Sequence, residues 1–210
     1  MVHMKNIDKI VKKCECISFD IFDTLICRKV SNPHDIFKLV QDEYNNQHID
    51  SAIDNFEENR IEAEIRASKR NAYYTLDDIY DELDELYGKK RSEIIKELEI
   101  DMEKRMSFAN PEMKEIFDYI ASTGKEIILI SDMYLTQDII SQLLNYNGYS
   151  GWSSLFISCE CGASKRQGTL FKYVLQKTGK SRRQICHFGD NLISDYVMAI
   201  VNGFRAIRVK

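Results

Sequence analysis

No stretch of the 210 residues stays apolar for anything near the ~20 positions that a transmembrane helix needs. A membrane-spanning role is therefore not expected. The N-terminus carries no apolar core of the kind a signal peptide has, so a cytoplasmic protein is expected. Charge of one sign is lacking as well. Lys and Arg number 29 against 33 Asp and Glu, with a net charge of −4 and a pI of about 5.7. A nucleic-acid partner calls for a basic face, and nothing here supplies one. Internal repeats and low-complexity segments are missing too. Prolines are only two, Pro33 and Pro111, and each stands where a helix can begin.

There are six cysteines: Cys14, Cys16, Cys27, Cys159, Cys161 and Cys186. Without a secretory signal they read as reduced thiols. Cys14-x-Cys16 and Cys159-x-Cys161 are spaced too closely for the usual C-x(2–4)-C zinc pair. Each pair also flanks a different expected strand, so zinc is not expected.

What is present starts at Ile17-Ser18-Phe19-Asp20-Ile21-Phe22-Asp23-Thr24-Leu25. Ile17 to Phe19, a short and mainly apolar run, leaves no room for a helix before the polar residues that follow. The run reads as a buried strand of an α/β sheet. Further strands are expected at Ile127–Ile130, Leu155–Ile157, Ile185–Phe188 and Phe204–Val209. Helices are expected between them at 111–122, 136–146, 168–177 and 192–201. Strands joined by helices of this length predict a parallel sheet with right-handed crossovers. A short helix over 6–13 leads in.

From Asn32 to Met106 the pattern turns helical, with expected helices at 34–44, 51–70, 76–87 and 92–106. The division expected is thus an α/β core at 1–31 and 107–210 with an all-helical insertion at 32–106. In the insertion, Arg60 and Glu64 are spaced i,i+4. The ordinary reading is an exposed ion pair worth about 0.2–0.5 kcal/mol. The alternative is that Arg60, Arg66 or Arg28 reaches an anionic group on a substrate. Tyr73 and Tyr74 read as core residues or as lining for a sugar pocket. His34, His48 and His187 have no motif partners, and His187, inside a strand, reads as a satisfied buried histidine.

Polar residues collect at the carboxyl ends of the expected strands, or just beyond. They are Asp20, Asp23 and Thr24; Ser131 and Asp132; Lys165; and Asp190, Asn191 and Asp195. Parallel strands share a direction, so these ends form one edge, which is where ligands bind in open α/β sheets. Taken singly, each residue has an ordinary role as a helix cap, a turn residue or a surface lysine. Four such sets at equivalent places point to one site.

In this ordered set the sequence resembles the haloacid dehalogenase-like (HAD) superfamily. The matching motifs are Asp20–Leu25, the strand ending in Ser131, Lys165 in Ser164-Lys165-Arg166, and Gly189-Asp190-Asn191 with Asp195. The resemblance implies a Rossmann-like core and makes residues 32–106 a helical cap. It implies that Asp20 is a nucleophile forming an aspartyl-phosphate, in the manner of covalent catalysis. It assigns Mg²⁺ to Asp20, the Phe22 carbonyl and Asp190, with Asp195 in support. Ser131 would bind a phosphoryl oxygen, and Lys165 would offset its charge. Thr24, Asp132 and Asn191 would line the substrate side.

One departure stands out. The family's phosphatases usually carry a second aspartate two residues after the nucleophile, as general acid/base. Here that residue is Phe22, whose ring transfers no proton. Asp23 would take over that role, or the substrate would have a leaving group that needs no acid, such as an acyl phosphate. Two other readings are a 2-haloacid dehalogenase, since an aromatic residue is frequent at this position in those enzymes, and a non-catalytic phosphate- and Mg²⁺-binding module. The string Phe19–Leu25 with Ser131-Asp132-Met133-Tyr134-Leu135 is similar to a narrower subgroup found near, or fused to, glycosyltransferases. That likeness implies a sugar phosphate or nucleotide-sugar-related substrate.

Overall fold

The computed structural model describes residues 4–209. The chain divides into two compact units, one of residues 1–27 and 109–210 and the other of residues 28–108.

The first unit is built on a five-stranded parallel sheet. Its strands are β1 (Cys16–Phe19), β4 (Glu126–Ser131), β5 (Ser154–Ile157), β6 (Ile185–Gly189) and β7 (Arg205–Arg208), in the order β5-β4-β1-β6-β7. β1 lies at the centre and all four of its residues are buried. A strand covered on both faces needs an apolar run and not an alternation, as Cys16-Ile17-Ser18-Phe19 nearly is. Register pairs Phe19 with Phe188 and Ser18 with His187. The Phe19 ring stacks on Phe188 with centroids 5.1 Å apart and tilts against Phe117 at 5.5 Å. Ser18 and His187 face the opposite side of the sheet.

Helix α1 (Met4–Lys13) precedes β1, and helices α6 (Pro111–Ser122), α7 (Gln137–Tyr146), α8 (Ser158–Cys161), α9 (Thr169–Thr178) and α10 (Met198–Val201) lie between the strands. α6 starts at Pro111, with the Asn110 side chain accepting from the Met113 amide. The expected single helix over 192–201 is different. Residues Leu192–Val197 form a π-helix, and only Met198–Val201 is α-helical. The wider winding follows an Asn191 side chain that accepts from the Ile193 and Ser194 amides. π-Helical turns are rare and cluster at functional sites.

The second unit holds α2 (Asp35–Gln47), a 3₁₀ turn (Ile49–Ser51), α3 (Phe56–Arg70), α4 (Leu76–Tyr87) and α5 (Lys89–Met106). Two short strands, β2 (Ile26–Arg28) and β3 (Ser107–Ala109), form a separate two-stranded sheet. They are too short to announce themselves in the sequence. α3 starts five residues later than expected, because Asn55 adopts φ 55° and the Phe56 amide bonds the Gln41 side chain. α4 opens on a full capping box between Thr75 and Asp78.

Arg60 corrects the sequence reading. It is fully buried and not part of an exposed pair. Its Nη2 lies 2.9 Å from Glu99 Oε1, its Nε 3.0 Å from Glu99 Oε2, and its Nη1 2.9 Å from Glu64. Tyr80 donates to Glu99 at 2.7 Å, and the guanidinium sits 4.7 Å from the Phe37 ring centre. Arg28 is likewise bound to Glu103, at 3.1 Å, and Arg66 to Glu82 at 2.9 Å. These arginines organise the helical unit. Tyr74 donates to Glu64 at 2.8 Å.

Removing one partner of a buried pair strands the other charge, at a cost of about 3–5 kcal/mol. Arg60→Met is therefore expected to destabilise the protein by about that much, measured by urea unfolding. Arg60→Met with Glu99→Leu is expected to recover most of it. A loss confined to a few tenths of a kcal/mol would contradict the buried network.

Candidate active site

β1 delivers Asp20 at its carboxyl end, and the Asp20 amide donates to the Phe188 carbonyl of β6 at 2.8 Å. The chain then turns tightly. Leu25 and Ile26 amides both bond the Ile21 carbonyl, and the Asp23 amide bonds the Ile26 carbonyl. Asp23 takes φ 58°, a left-handed conformation that Asp tolerates better than most residues. Tyr149 hydroxyl and Asn110 amide both donate to the Leu25 carbonyl, at 2.7 and 2.8 Å. The turn is thus pinned at both ends.

Lys165 lies against Asp20 from the loop after α8. Both are nearly fully buried. Its ammonium donates to Asp20 Oδ1 and, at 2.6 Å, to Asp195 Oδ1. Asp195 comes from the π-helix, and the Asn191 amide fixes its Oδ2 at 3.0 Å. The Thr24 hydroxyl is shared between Asp20 at 3.2 Å and Asp190 at 3.4 Å. Asp20, Asp190 and Asp195 each offer a carboxylate oxygen within 4.8 Å of the others. Residues from opposite ends of the sequence therefore meet at one strand-end edge.

Two residues expected on the substrate side are engaged with backbone instead. The Asp132 carboxylate accepts from the Lys165 and Arg166 amides at 2.7 and 3.2 Å, so it tethers the lysine loop. Asn191 caps the π-helix. Ser131 is buried at the end of β4, and its hydroxyl bonds no other described residue. Asp23 is exposed, and no hydrogen bond joins its carboxylate to Asp20. Burial and Asp195 are the main causes that raise the Asp190 carboxyl, and the Asp23 charge adds to them. Phe22 is half-buried and bridges Ile26.

His187 was visible in the sequence only as a buried strand histidine, yet it belongs to this cluster. Its Nε2 lies 3.4 Å from Asp195 Oδ1, and its Nδ1 2.9 Å from Ser18 Oγ. A signal existed: Ser18 shares a sheet face with Asp20 two residues on, a polar residue in an otherwise apolar strand.

Electrostatically the site holds three carboxylates against one ammonium. Burial pushes the Asp20 carboxyl up to about 7. The Lys165 ammonium pulls against that shift, and the Asp195 and Asp190 charges add to it. Burial and the neighbouring Asp195 also raise Asp190. Burial works against Asp195 too, but the His187 hydrogen bond and the Lys165 charge hold it below the usual carboxylate range. Lys165 is held above its usual value, the two carboxylates outweighing burial. His187 is lowered, chiefly by burial. The oxygen-only donors and their excess negative charge fit a hard divalent cation.

A haloacid dehalogenase-like hydrolase model matches residues 14–203. The chain belongs to that family. No curated protein matches the sequence. Among solved structures, this hydrolase is similar in fold to a 2-haloacid dehalogenase of Pseudomonas syringae pv. Tomato DC3000, with a TM-score of 0.70 and 15% identity over 93% of this chain and 86% of that one. A HAD family enzyme of Bacteroides thetaiotaomicron, in complex with magnesium and inorganic phosphate, is similar with a TM-score of 0.63 and 15% identity, covering 94% of both chains. YfnB of Bacillus subtilis, bound to magnesium, has a TM-score of 0.61 and 12% identity over 94% of this hydrolase and 89% of its own chain.

The Gly189 position has a stringent requirement. A Cβ there would lie 2.5 Å from both Cβ and Cγ of Asp195, inside any real contact distance. Gly189→Ala is expected to displace Asp195 and to cost about 1–3 kcal/mol of stability, read by denaturant unfolding with a crystal structure of the variant. An unmoved Asp195 at wild-type stability would contradict this packing.

Proposed function

We propose that this hydrolase is a Mg²⁺-dependent phosphohydrolase acting on a phosphorylated small molecule, sugar phosphates included, through a phosphorylated Asp20. The supporting observation is the convergence of Asp20, Asp190 and Asp195 beside a single ammonium, that of Lys165. Asp20, Asp190 and the Phe22 carbonyl would hold the metal, with Asp195 alongside. Once bound, a divalent cation neutralises charge between the carboxylates and a substrate phosphate.

The chain's own residues then divide the work. Asp20 Oδ2, which accepts only from the Thr24 hydroxyl at 3.2 Å, attacks phosphorus, and the bond from phosphorus to the leaving oxygen breaks. Lys165 holds Asp20 in line and offsets the charge of the transferred group. The Ser131 hydroxyl, with no partner among the described residues, donates to a phosphoryl oxygen. Water then attacks the same phosphorus, releasing inorganic phosphate and restoring Asp20. No aspartate stands at position 22 to protonate the leaving group, so leaving groups that depart as stable anions are favoured.

Phosphatase assays on a graded panel test this. Turnover is expected to vanish with EDTA and in Asp20→Asn. Acetyl phosphate and aryl phosphates are expected to outrun alkyl phosphates, and Phe22→Asp should raise alkyl phosphate turnover, within the ~10²–10⁴-fold that general acid catalysis supplies. Metal-independent turnover would reject the mechanism. A second reading, 2-haloacid dehalogenase, draws on the aromatic Phe22 and on the fold likeness to the P. syringae enzyme. Halide release from a 2-haloacid in EDTA would favour it.

Metal binding supplies a pH test. Asp20 must lose its proton to bind a cation, and burial lifts its pKa to about 7. Protons therefore compete below that value and not above it. The apparent Mg²⁺ affinity by calorimetry is expected to climb about tenfold per pH unit towards 7 and then level off. A flat profile from about pH 5.5 to 8 would exclude Asp20 as a raised-pKa ligand.

A further inference from the structure

We propose that Ser18 and His187 form a fixed hydrogen-bond relay that orients Asp195 and, through it, aims the Lys165 ammonium at Asp20. This makes His187 a positioning residue for the site. Only the catalytic consequence rests on the phosphohydrolase reading.

The relay begins in strand register. Ser18 of β1 and His187 of β6 are paired neighbours on one sheet face, and both are fully buried. Ser18 Oγ lies 2.9 Å from His187 Nδ1, and His187 Nε2 lies 3.4 Å from Asp195 Oδ1. An ionised carboxylate only accepts, so Nε2 carries the ring proton and donates it to Asp195. Nδ1 of a neutral ring is then the acceptor, and the Ser18 hydroxyl is the donor that fills it. Were Ser18 an apolar residue, either tautomer would leave a buried nitrogen without a partner. The Phe171 ring meets the imidazole edge-on at 5.3 Å and limits its rotation.

Asp195 is where the relay acts. Its Oδ2 is tied to the Asn191 amide at 3.0 Å, and Oδ1 receives both His187 and Lys165. With both oxygens held, the carboxylate has one orientation. Lys165 is a point charge on a flexible stem, so its direction depends on fixed acceptors at its tip. Groups that support a site residue through one hydrogen bond typically change affinity or activity about 10–100-fold when removed.

The test combines ring-nitrogen NMR with two replacements at one position, using the full chain. In wild type, ¹⁵N shifts of His187 are expected to show a protonated Nε2 and an unprotonated Nδ1, and the Lys165 ammonium protons are expected to be protected from exchange. His187→Leu removes the donor, whereas His187→Gln restores an N–H near the Nε2 position. His187→Leu should lose the Lys165 protection and lower kcat on aryl phosphate with Mg²⁺ by about 10–100-fold, with KM nearly unchanged. His187→Gln should recover most of both. Ser18→Ala should keep the Nε2 proton that Asp195 fixes and move the Nδ1 ¹⁵N shift towards that of a nitrogen accepting no hydrogen bond; an unmoved Nδ1 shift would remove Ser18 from the relay. A protonated Nδ1 in wild type, protection retained in His187→Leu, or equal losses in the two variants at matched melting temperature would each overturn the relay. If wild type turns over no phosphate ester, the phosphohydrolase reading fails, and the NMR readouts still decide the relay.

Discussion

The ammonium of Lys165, held between Asp20 and Asp195, is the interaction on which the rest of the site depends. Three carboxylates converge at this sheet edge, and burying them together without a cation would be prohibitive. One lysine reduces the repulsion without removing it. The residual negative charge gives the site its chemical character. Burial, with the neighbouring carboxylates adding to it, raises the proton affinity of Asp20 and Asp190, and the excess negative charge fits a divalent cation. Burial and hydrogen-bond partners shift the carboxylates in opposite directions. Asp195, bonded to His187 and Lys165, is held below the usual carboxylate range, while burial lifts Asp20 above it.

The fold supplies this arrangement through strand direction. β1, β4 and β6 run parallel and in register, so Asp20, Ser131 and Asp190 emerge at the same edge. Each loop is then held by hydrogen bonds specific to it. Asp132 accepts two amides of the Lys165 loop. Tyr149 and Asn110 both bond the Leu25 carbonyl. Gly189 omits the one carbon that would collide with Asp195. Rigid strands and short tied loops are what a preorganised electrostatic site requires.

The helical unit shows the same physics in a structural setting. Arg60, Glu99, Glu64 and Tyr80 make a buried polar cluster in which each charge has a bonded partner. Spacing along one helix showed only the Arg60–Glu64 pair. Glu99 lies on another helix, 39 positions on, and only packing brings it to the guanidinium and takes the group out of water.

The sequence by itself determined the parallel α/β core, the helical character of the insertion and the strand-end residues, because hydrophobic period and polar exits are local properties. Asp20, Lys165, Asp190 and Asp195 were legible in it. Tertiary structure alone decided what each does with its hydrogen bonds. It turned Asp132 and Asn191 towards backbone amides, wound residues 192–197 as a π-helix, left Asp23 exposed, and joined Ser18 and His187 to the site. The physical reason is that hydrogen-bond partners are chosen by proximity in space. Ser18 and His187 are 169 residues apart and become neighbours only when β1 and β6 pair.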